Sequence, residues 1–510
     1  MMTILSMLPI ISLFVCLVVV KLSVAKSGAV SLATALVIAL VFFGMPVAGL
    51  EIAVGKALWL ALFVSLIVWG ALFLYHLVSD FKAIDVINKN ITIFVRDEFT
   101  QFLLLAWLFT GLLQGMAGFG VPAVIVAPIL IALGFNPVKS LAAALLGHSW
   151  AVTFGSMGAA FFVIQSLTGI PMHDLAIPMW IFNATVIVLT GLGVCWIYDG
   201  FRGIRKGLVY VLPVSIVMLA VQFVVIFFGM FALASLATAL SGLIVMFAMY
   251  KVKARSKKQE KSKLYAGELT LLQSSLPYAA IIVLAIMFAF LPAALRDSVS
   301  FSFSFGGFET ATGHVVEAVS AYMPLFLFRH PAVLLIVASL VAIIVFKISG
   351  VWDTKVFIGS AKKTVQKGIP ATIALLALGN MSLIMMDSGM THRLAYDVAG
   401  LTGSIYPLFA PAFGVLGSFL TGNNTNSNVL FGLFQYAIAE RLGVSTAMMA
   451  AAQSIGGGLG VSIGPTIVLM GALASGQGGQ EAQIFRKLIP IVLVIALLMG
   501  VVNMIVLNVL

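Results

Sequence analysis

The sequence predicts an all-α protein that crosses a membrane about twelve times, with two further re-entrant hairpins that enter the membrane and return on the same side. Three observations predict this fold class. The 510 residues are 62% hydrophobic and only 9% charged, whereas soluble domains carry about 25% charged residues. Apolar runs of about 20 residues, the length that spans a bilayer, recur along the whole chain. Basic residues gather between these runs, as they do in cytoplasmic loops.

The predicted spans fall into three blocks. A first repeat, 1–200, contains spans 3–25, 29–46, 57–78, 138–165 and 177–198. A connecting segment, 201–273, contains spans 207–228 and 231–250 and a basic loop. A second repeat, 274–510, contains spans 274–294, 331–348, 369–387, 444–475 and 488–510. The predicted hairpins are 99–134 and 403–442, each interrupted in the middle by Gly or polar residues.

The basic residues between the spans select one orientation. They are Lys21, Lys26, Lys82, Lys89, Arg96, Arg202, Arg205, Lys206, Lys251–Lys263, Lys355–Lys367, Arg486 and Lys487. If all of them face the cytoplasm, both termini lie outside and the two hairpins enter from opposite sides.

These clusters also explain the formal charge of +11. Nucleic-acid binding is not predicted, since no recognisable binding module accompanies the charge. No positive charge precedes the apolar run Met1–Val20, so we expect a retained helix rather than a signal peptide.

The order of spans and hairpins in the two repeats is the same, but the predicted orientation is inverted. The segment Ala132–Gly155 also aligns without gaps to Arg441–Gly464. Inverted repeats with interrupted helices that meet near the midplane are typical of secondary transporters. The alternative is chance similarity between two helices rich in Ala and Gly.

The second hairpin has the most distinctive polar segment, TGNNTNSN at Thr421–Asn428. Unpaired polar groups in hydrocarbon cost several kcal/mol each, so we expect this segment to line an enclosed or hydrated cavity. The N-terminus of the helix that follows would attract a carboxylate. The predicted substrate-binding residues here are Thr421, Asn423, Asn424, Thr425 and Asn428. An extramembrane turn is the alternative, because Asn-rich turns are common.

The first hairpin has a Gly-rich interruption, QGMAGFGVP at Gln114–Pro122. Gly118 and Gly120 would allow the backbone to approach a ligand, although close helix packing also explains such glycines. Two long spans contain further breaks, at Thr153–Gly158 and Ser454–Pro465. We expect Gly118, Gly120 and Ser156 to meet the second tip around one cavity near the midplane.

Two titratable residues are candidates for carrying a coupling proton. His148 lies in an otherwise uncharged run, and imidazole exchanges a proton near neutral pH; its alternative is a neutral ring bonded to a nearby carbonyl. Asp387 ends a span, and an exposed carboxylate at a helix end is the favoured alternative there.

Other polar residues carry no predicted chemistry. The pair Glu440 and Arg441 is interpreted as a solvated surface ion pair. His173, His314, His330 and His392 are expected in loops and lack metal-ligand spacing. Cys16 and Cys195 lie in apolar runs, which supports neither a disulfide nor a metal site.

Several motifs, in order, resemble the lactate permease family of bacteria and archaea. They are GMAGFGVPAVIVAPILIALGFNP, FGSMG, MDSGM and YPLFAPAFGVLGSFLTGNNTNSNVLFGLFQ, within Gln101–Gly158 and Met381–Gln435. The resemblance implies import of L-lactate, D-lactate or glycolate driven by protons, in a cell (inner) membrane. It also implies an ion-transporter fold with inverted repeats, hairpins and elevator-like motion.

This chain departs from the family pattern at four positions, which lie in three places along the chain. The family typically has Gly-Ser-Asp-Thr where this chain has Gly422-Asn423-Asn424-Thr425, and an acidic group where it has Gln114. The family usually has Asn where this chain has His148. Two candidate carboxylates are thus amides, and one amide is a titratable imidazole.

The sequence therefore predicts a secondary transporter of a small monocarboxylate, embedded in membrane lipid, with no cofactor. The coupling ion is H⁺ in the first interpretation and Na⁺ in the alternative, and a passive anion channel is a further alternative. An intramembrane enzyme would need a nucleophile–base pair or a metal cluster, and only His148 is available at the midplane. Either a monomer or a homodimer is compatible with the sequence.

Overall fold

The computed structural model describes residues 1–95, 97–116, 118, 120–254 and 267–509. Within these residues, twelve helices are long and apolar enough to cross a membrane, and one further bent pair adds a thirteenth. Helices dominate, which confirms the predicted class, although four short strands depart from a strictly all-α fold. Most of the predicted basic loop Lys251–Lys263 lies outside the described residues.

The first part of the chain forms ten helices. They are α1 (Met2–Phe14), α2 (Val24–Val41), α3 (Val47–Asp80), α4 (Ala83–Phe94), α5 (Glu98–Leu103), α6 (Thr110–Met116), α7 (Val121–Ala132), α8 (Pro137–Gly147), α9 (Gly155–Thr168) and α10 (Met172–Phe227). Short π-helical segments, Val15–Val19 and Leu104–Phe109, extend α1 and join α5 to α6. The predicted first hairpin thus consists of two arms, α5–α6 and α7.

The remaining helices follow after the connecting segment. They are α11 (Ala234–Ala254), α12 (Leu271–Ala289), α13 (Ala293–Arg296), α14 (Pro331–Ile348), α15 (Thr354–Asp387), α16 (Met390–Thr402), α17 (Tyr406–Thr421), α18 (Asn424–Leu442), α19 (Thr446–Gly460), α20 (Pro465–Ala474) and α21 (Glu481–Val509). The second hairpin consists of α17 and α18.

Four strands lie between α13 and α14. β1 (Ser300–Phe305) pairs antiparallel with β4 (Val319–Phe326), and β2 (Phe308–Glu309) pairs with β3 (Val315–Val316). This β segment covers one end of α3, where the Trp59 indole donates to the Met323 carbonyl at 3.0 Å.

Helix α10 contains two of the predicted spans. Its backbone is not helical at Asp199 and Gly200, and the chain folds back there, since Trp180 donates to the Leu219 carbonyl at 2.9 Å. The prediction of a basic loop at residues 202–206 was wrong, because these residues already belong to the second arm of α10. Gly200 has φ of 56° and ψ of −139°, a conformation that glycine adopts readily, and with Asp199 it reverses the chain.

The two longest central helices, α3 and α15, pack against each other in antiparallel orientation, and each has 34 residues. Lys56, the tenth residue of α3, pairs with Asp387, the last of α15, at 3.0 Å. Lys363, the tenth residue of α15, pairs with Asp80, the last of α3, at 2.6 Å. Midway between them, the hydroxyl groups of Ser65 and Thr372 lie 3.2 Å apart. The two helices thus exchange equivalent contacts.

Equivalent contacts recur elsewhere between the halves. In the order of the repeats, α1, α2 and α3 correspond to α12, α14 and α15, and α4 corresponds to α16. Helix α4 contacts α12, and its counterpart α16 contacts α1. Likewise, α2 contacts α15, and α14 contacts α3. Both α4 and α16 follow a residue with left-handed backbone, Lys82 (φ 63°) and Gly389 (φ 88°). These pairs are those that a two-fold repeat predicts. The inverted orientation of the halves in the membrane stays a prediction.

Candidate functional site

The tip of the second hairpin is a sharp turn followed by a capped helix. Gly422 has a left-handed backbone (φ 79°), which ends α17 without steric strain. Asn423 is extended, and its side-chain oxygen accepts a hydrogen bond from the Asn426 N–H at 2.8 Å. This cap satisfies one of the N–H groups that the first turn of α18 leaves without a helical partner.

The predicted break in the span 138–165 is a bend of 53° between α8 and α9. At its start, Ser156, Met157 and Gly158 are all left-handed, with φ of 49°, 57° and 79°. Left-handed residues other than Gly and Asn are unfavourable and are typical of functional sites. The predicted break at Ser454–Pro465 is shorter than expected, since α19 continues to Gly460 and α20 begins at Pro465.

Two buried asparagines of α18 connect the second hairpin to this bend. The Asn424 amide donates to Thr153 Oγ1 at 3.2 Å and to the Ser454 carbonyl at 2.9 Å. The Asn428 amide donates to the Ala160 carbonyl at 3.0 Å and to Ser454 Oγ at 2.9 Å. Each asparagine therefore bridges the first and second halves of the chain.

The first hairpin reaches the same place. The Gly118 N–H donates to Ser156 Oγ at 2.7 Å. A methyl group on Gly118 would overlap Ser156 Oγ and would lie 2.8 Å from the Gln114 side-chain nitrogen. Glycine is thus required here by close approach of the backbone to a side chain.

A small polar cavity lies where the two tips and the bend meet. Its volume is about 20 Å³, and its lining includes Gln114, Ser156, Asn423, Asn424 and Thr425. Such a cavity has room for about one water molecule. A carboxylic acid of six heavy atoms does not fit unless the walls separate.

A second cavity of similar volume lies on the other side of the same hairpin tip. Asn423, Thr425 and Asn426 face Ser65 of α3 and Thr372 of α15 across it. The tip of the second hairpin is therefore a thin polar wall between the bend of α9 and the central α3–α15 pair.

Some predicted site residues lie outside the 20 Å³ cavity. Thr421 donates to the Gly417 carbonyl of its own helix at 2.7 Å. Gly120 has a left-handed backbone (φ 82°) and faces Ile467 and Met470 of α20. His148 is fully buried one turn before the bend. Its Nδ1 lies 3.0 Å from the Ala144 carbonyl oxygen, so Nδ1 carries a hydrogen.

Asp387 is not the exposed helix-end carboxylate that the sequence favoured. It is buried, and both it and Lys56 have side chains only 8% exposed. A buried carboxylate requires such a partner because desolvation of a lone charge is costly. His314 of the β segment lies near this pair, and burial together with the charge of His392 lowers the pKa of His314. The expectation of loop positions for His173 and His392 was also wrong, since both belong to helices.

The sequence interpretation missed three residues, two at this junction and one that pairs with Asp387. Thr153 and Ser454 accept hydrogen bonds from Asn424 and Asn428, and Lys56 neutralises Asp387. A lysine inside a span was the available signal, because such residues are rare unless paired.

Twelve candidate spans around a buried polar junction of interrupted helices define a multi-pass membrane transporter. A family model described as L-lactate permease matches residues 2–510. The chain belongs to the lactate permease family, which confirms the resemblance. The relatives are permeases of bacteria, so the chain is a transporter of the cell membrane rather than an enzyme.

Three relatives illustrate the similarity. The glycolate permease GlcA of Escherichia coli K12 is 26% identical, with 98% of this chain and 94% of the relative covered. The L-lactate permease of the same organism is 26% identical, with 97% of this chain and 94% of the relative covered. The L-lactate permease of Bacillus subtilis 168 is 26% identical, with 94% of this chain and 91% of the relative covered. Among solved structures, the YdaH transporter of Alcanivorax borkumensis is 15% identical. The match covers 89% of this chain and 86% of the transporter, with a TM-score of 0.48.

Proposed function

We propose that the chain imports a small monocarboxylate, lactate or glycolate, together with a coupling cation. Family membership supports the substrate class, since relatives with full-length similarity are named L-lactate and glycolate permeases. The observation that carries the proposal is the buried junction where Gln114, Ser156 and the Asn423–Thr425 tip converge. It combines amide and hydroxyl groups with the N-terminus of α18, which favours a carboxylate.

The mechanism that we propose is alternating access with elevator-like motion of the hairpins. Cavities of about 20 Å³ lie on both sides of the Asn423–Thr425 tip. Movement of this thin wall would enlarge one cavity or the other, so the tip can act as a gate. Only a few hydrogen bonds, chiefly those of Asn424 and Asn428, would have to break.

A proton is our first choice of coupling ion, with His148 as its carrier. The Nε2 atom of His148 is buried and has no hydrogen-bond partner among the residues that the structure describes. That nitrogen is available to gain a proton. The other candidate, Asp387, already has a cationic partner in Lys56. A carboxylate that enters with a proton carries no net charge across the bilayer.

Sodium is the second candidate, and a specific observation favours it. Within the described parts of the chain, the side-chain oxygens of Gln114, Asn424 and Asn428 are buried without a donor. Amide oxygens that accept no hydrogen bond are suitable ligands for a hard cation.

Uptake of labelled L-lactate and glycolate into proteoliposomes tests the proposal. We expect saturable uptake above the external concentration when an inward proton gradient is imposed, and equilibration alone when no gradient is present. Accumulation with a sodium gradient alone would establish the second candidate. Uptake that never exceeds equilibrium under either gradient would instead indicate a passive channel.

A further inference from the structure

A groove at one end of the bundle lies between the second arm of α10 and the last turns of α11. Its volume is about 740 Å³, and its apolar wall includes Val209, Ile244, Ala248 and Val252. Val209 and Ile244 are each 68% exposed, and Val252 is 71% exposed. Because residues four apart share a helix face, Ile244, Ala248 and Val252 form one stripe along α11. In the membrane this stripe faces lipid.

The length of the groove matches one leaflet. From Ile244 to Val252, α11 rises about 12 Å, and one leaflet of hydrocarbon is about 15 Å thick. A small hydrophilic acid would remain in water rather than enter such an apolar, laterally open space. An acyl chain aligned with α11 would cover it along most of its length.

The end of the groove is basic. Lys253 donates to the Tyr210 hydroxyl at 2.8 Å and lies 5.4 Å from the centre of that ring. Lys206 lies 5.3 Å from the centre of the Phe99 ring. Both ammonium groups are thus held at the mouth by aromatic side chains.

One carboxylate, Asp97, shares this mouth. Burial opposes its ionisation, but hydrogen bonds from Thr100 and the charges of Lys253 and Lys206 bring the pKa of Asp97 below its ordinary value. Among the described residues that line the groove, two ammonium groups and one carboxylate give a net charge of +1. A single phosphodiester would neutralise it.

The position in the bilayer also fits an anionic lipid. The mouth lies where the second arm of α10 begins and α11 ends, at the end of the bundle that the basic residues assign to the cytoplasm. Basic pockets between helices on this side bind anionic lipid headgroups.

We propose that this groove binds one anionic phospholipid, with its phosphate against Lys206 and Lys253 and an acyl chain along α11. The site is separate from the polar junction of the hairpins and does not depend on the substrate. It would fix the start of the second arm of α10 and the last turn of α11 to the inner leaflet.

Native mass spectrometry of the purified full chain, titrated with phosphatidylglycerol, tests the proposal. We expect one tightly retained phosphatidylglycerol and weaker retention of phosphatidylcholine. Each lysine near an anionic lipid contributes about fivefold to binding, so Lys206→Gln with Lys253→Gln should weaken retention about 25-fold. Ala248→Trp, which fills the groove without changing charge, should also remove the lipid.

The matched control is Arg202→Gln with Lys251→Gln, which removes two charges at the same end and should retain the lipid. Thermal unfolding in detergent checks that each variant is folded. If Ala248→Trp does not fold, the Lys206→Gln, Lys253→Gln variant still tests the site. Equal binding of phosphatidylcholine, or equal loss in the control pair, would overturn the proposal. Displacement of phosphatidylglycerol by inorganic phosphate would also overturn the proposal, because the mouth would then be a site for free phosphate. So would a change from dimer to monomer in Ala248→Trp without loss of lipid, because the groove would then be an interface between two copies of the chain.

Discussion

At the residue scale, the junction depends on atoms that approach each other closely from distant parts of the chain. Gly118 meets Ser156, and Asn424 meets Thr153, which lies 271 residues away in sequence. The sequence indicated which polar residues cluster at the tips, because polar groups inside apolar runs are conspicuous. It did not reveal their partners, since a hydrogen bond across the halves depends on how the helices pack.

Gly118→Ala is expected to reduce uptake at least tenfold. The added methyl group overlaps Ser156 Oγ, and overpacking costs about 1–3 kcal/mol. Initial rates of uptake in proteoliposomes provide the measurement. Gly359→Ala is the matched control, because nothing lies within 4 Å of the added carbon. Equal activity of the two variants would show that close approach at Gly118 is unimportant.

His148→Asn, which restores the usual family residue, is expected to abolish proton-driven accumulation and to flatten the pH dependence of uptake. The reason is that the buried Nε2 would no longer be present to gain a proton. Uptake is measured across pH 5–8 with a proton gradient. His173→Asn removes an exposed imidazole and should change neither property. If His148→Asn retains the wild-type pH profile, His148 does not carry the proton.

At the element scale, sequence patterns predicted the interruptions of helices better than the ends of helices. The uncharged runs interrupted by Gly or Asn coincide with the breaks between α6 and α7 and between α17 and α18, while the re-entry of these segments on one side of the membrane stays a prediction. The predicted span 57–78 begins one residue too late to include Lys56, because a charged side chain interrupts the apolar run that predicts a span. The strand β1 alternates Ser and Phe in SFSFSF, a period of two that a search for long apolar runs does not detect.

The two ion pairs of α3 and α15 provide a test at this scale. Lys56→Met and Asp387→Asn should each lower stability by about 3–5 kcal/mol, because each leaves a buried charge unpaired. The double variant should recover much of that loss. Thermal unfolding midpoints in one detergent provide the comparison.

The equivalent pair at the other end is the internal control. Lys363 is 53% exposed, so Lys363→Met should cost about 1 kcal/mol or less. Additive losses in the Lys56→Met, Asp387→Asn double variant would mean that the two residues do not act as a pair.

At the scale of the whole molecule, composition and basic clusters were sufficient to predict a multi-pass bundle. The order of spans along the chain also emerged, because each apolar run is long and each basic cluster is short. The packing of α4 on α12 and of α16 on α1 could not be predicted, since the sequence of a short helix carries no signal of which distant helix it contacts.

Sidedness is tested by labelling. A single cysteine introduced as Lys257→Cys, with Cys16 and Cys195 replaced by Ser, should react with a membrane-impermeant maleimide only after the cells are opened. The reason is that the basic segment is retained in the cytoplasm. A cysteine introduced as Gly313→Cys, in the segment between β2 and β3, should react in intact cells. The opposite pattern would invert the topology.

The buried Lys56–Asp387 pair has a consequence for the order of synthesis. Lys56 leaves the ribosome 331 residues before Asp387, which at about 5–20 residues per second corresponds to roughly 15–70 s. During that interval α3 carries an unneutralised ammonium group into the bilayer, at a cost of about 3 kcal/mol on scales of helix insertion. Insertion of α15 removes this cost, because Asp387 then pairs with Lys56. A nascent chain that stops before α15 therefore displays a charge in the membrane that the finished protein does not, and quality-control proteases of the bilayer can distinguish the two.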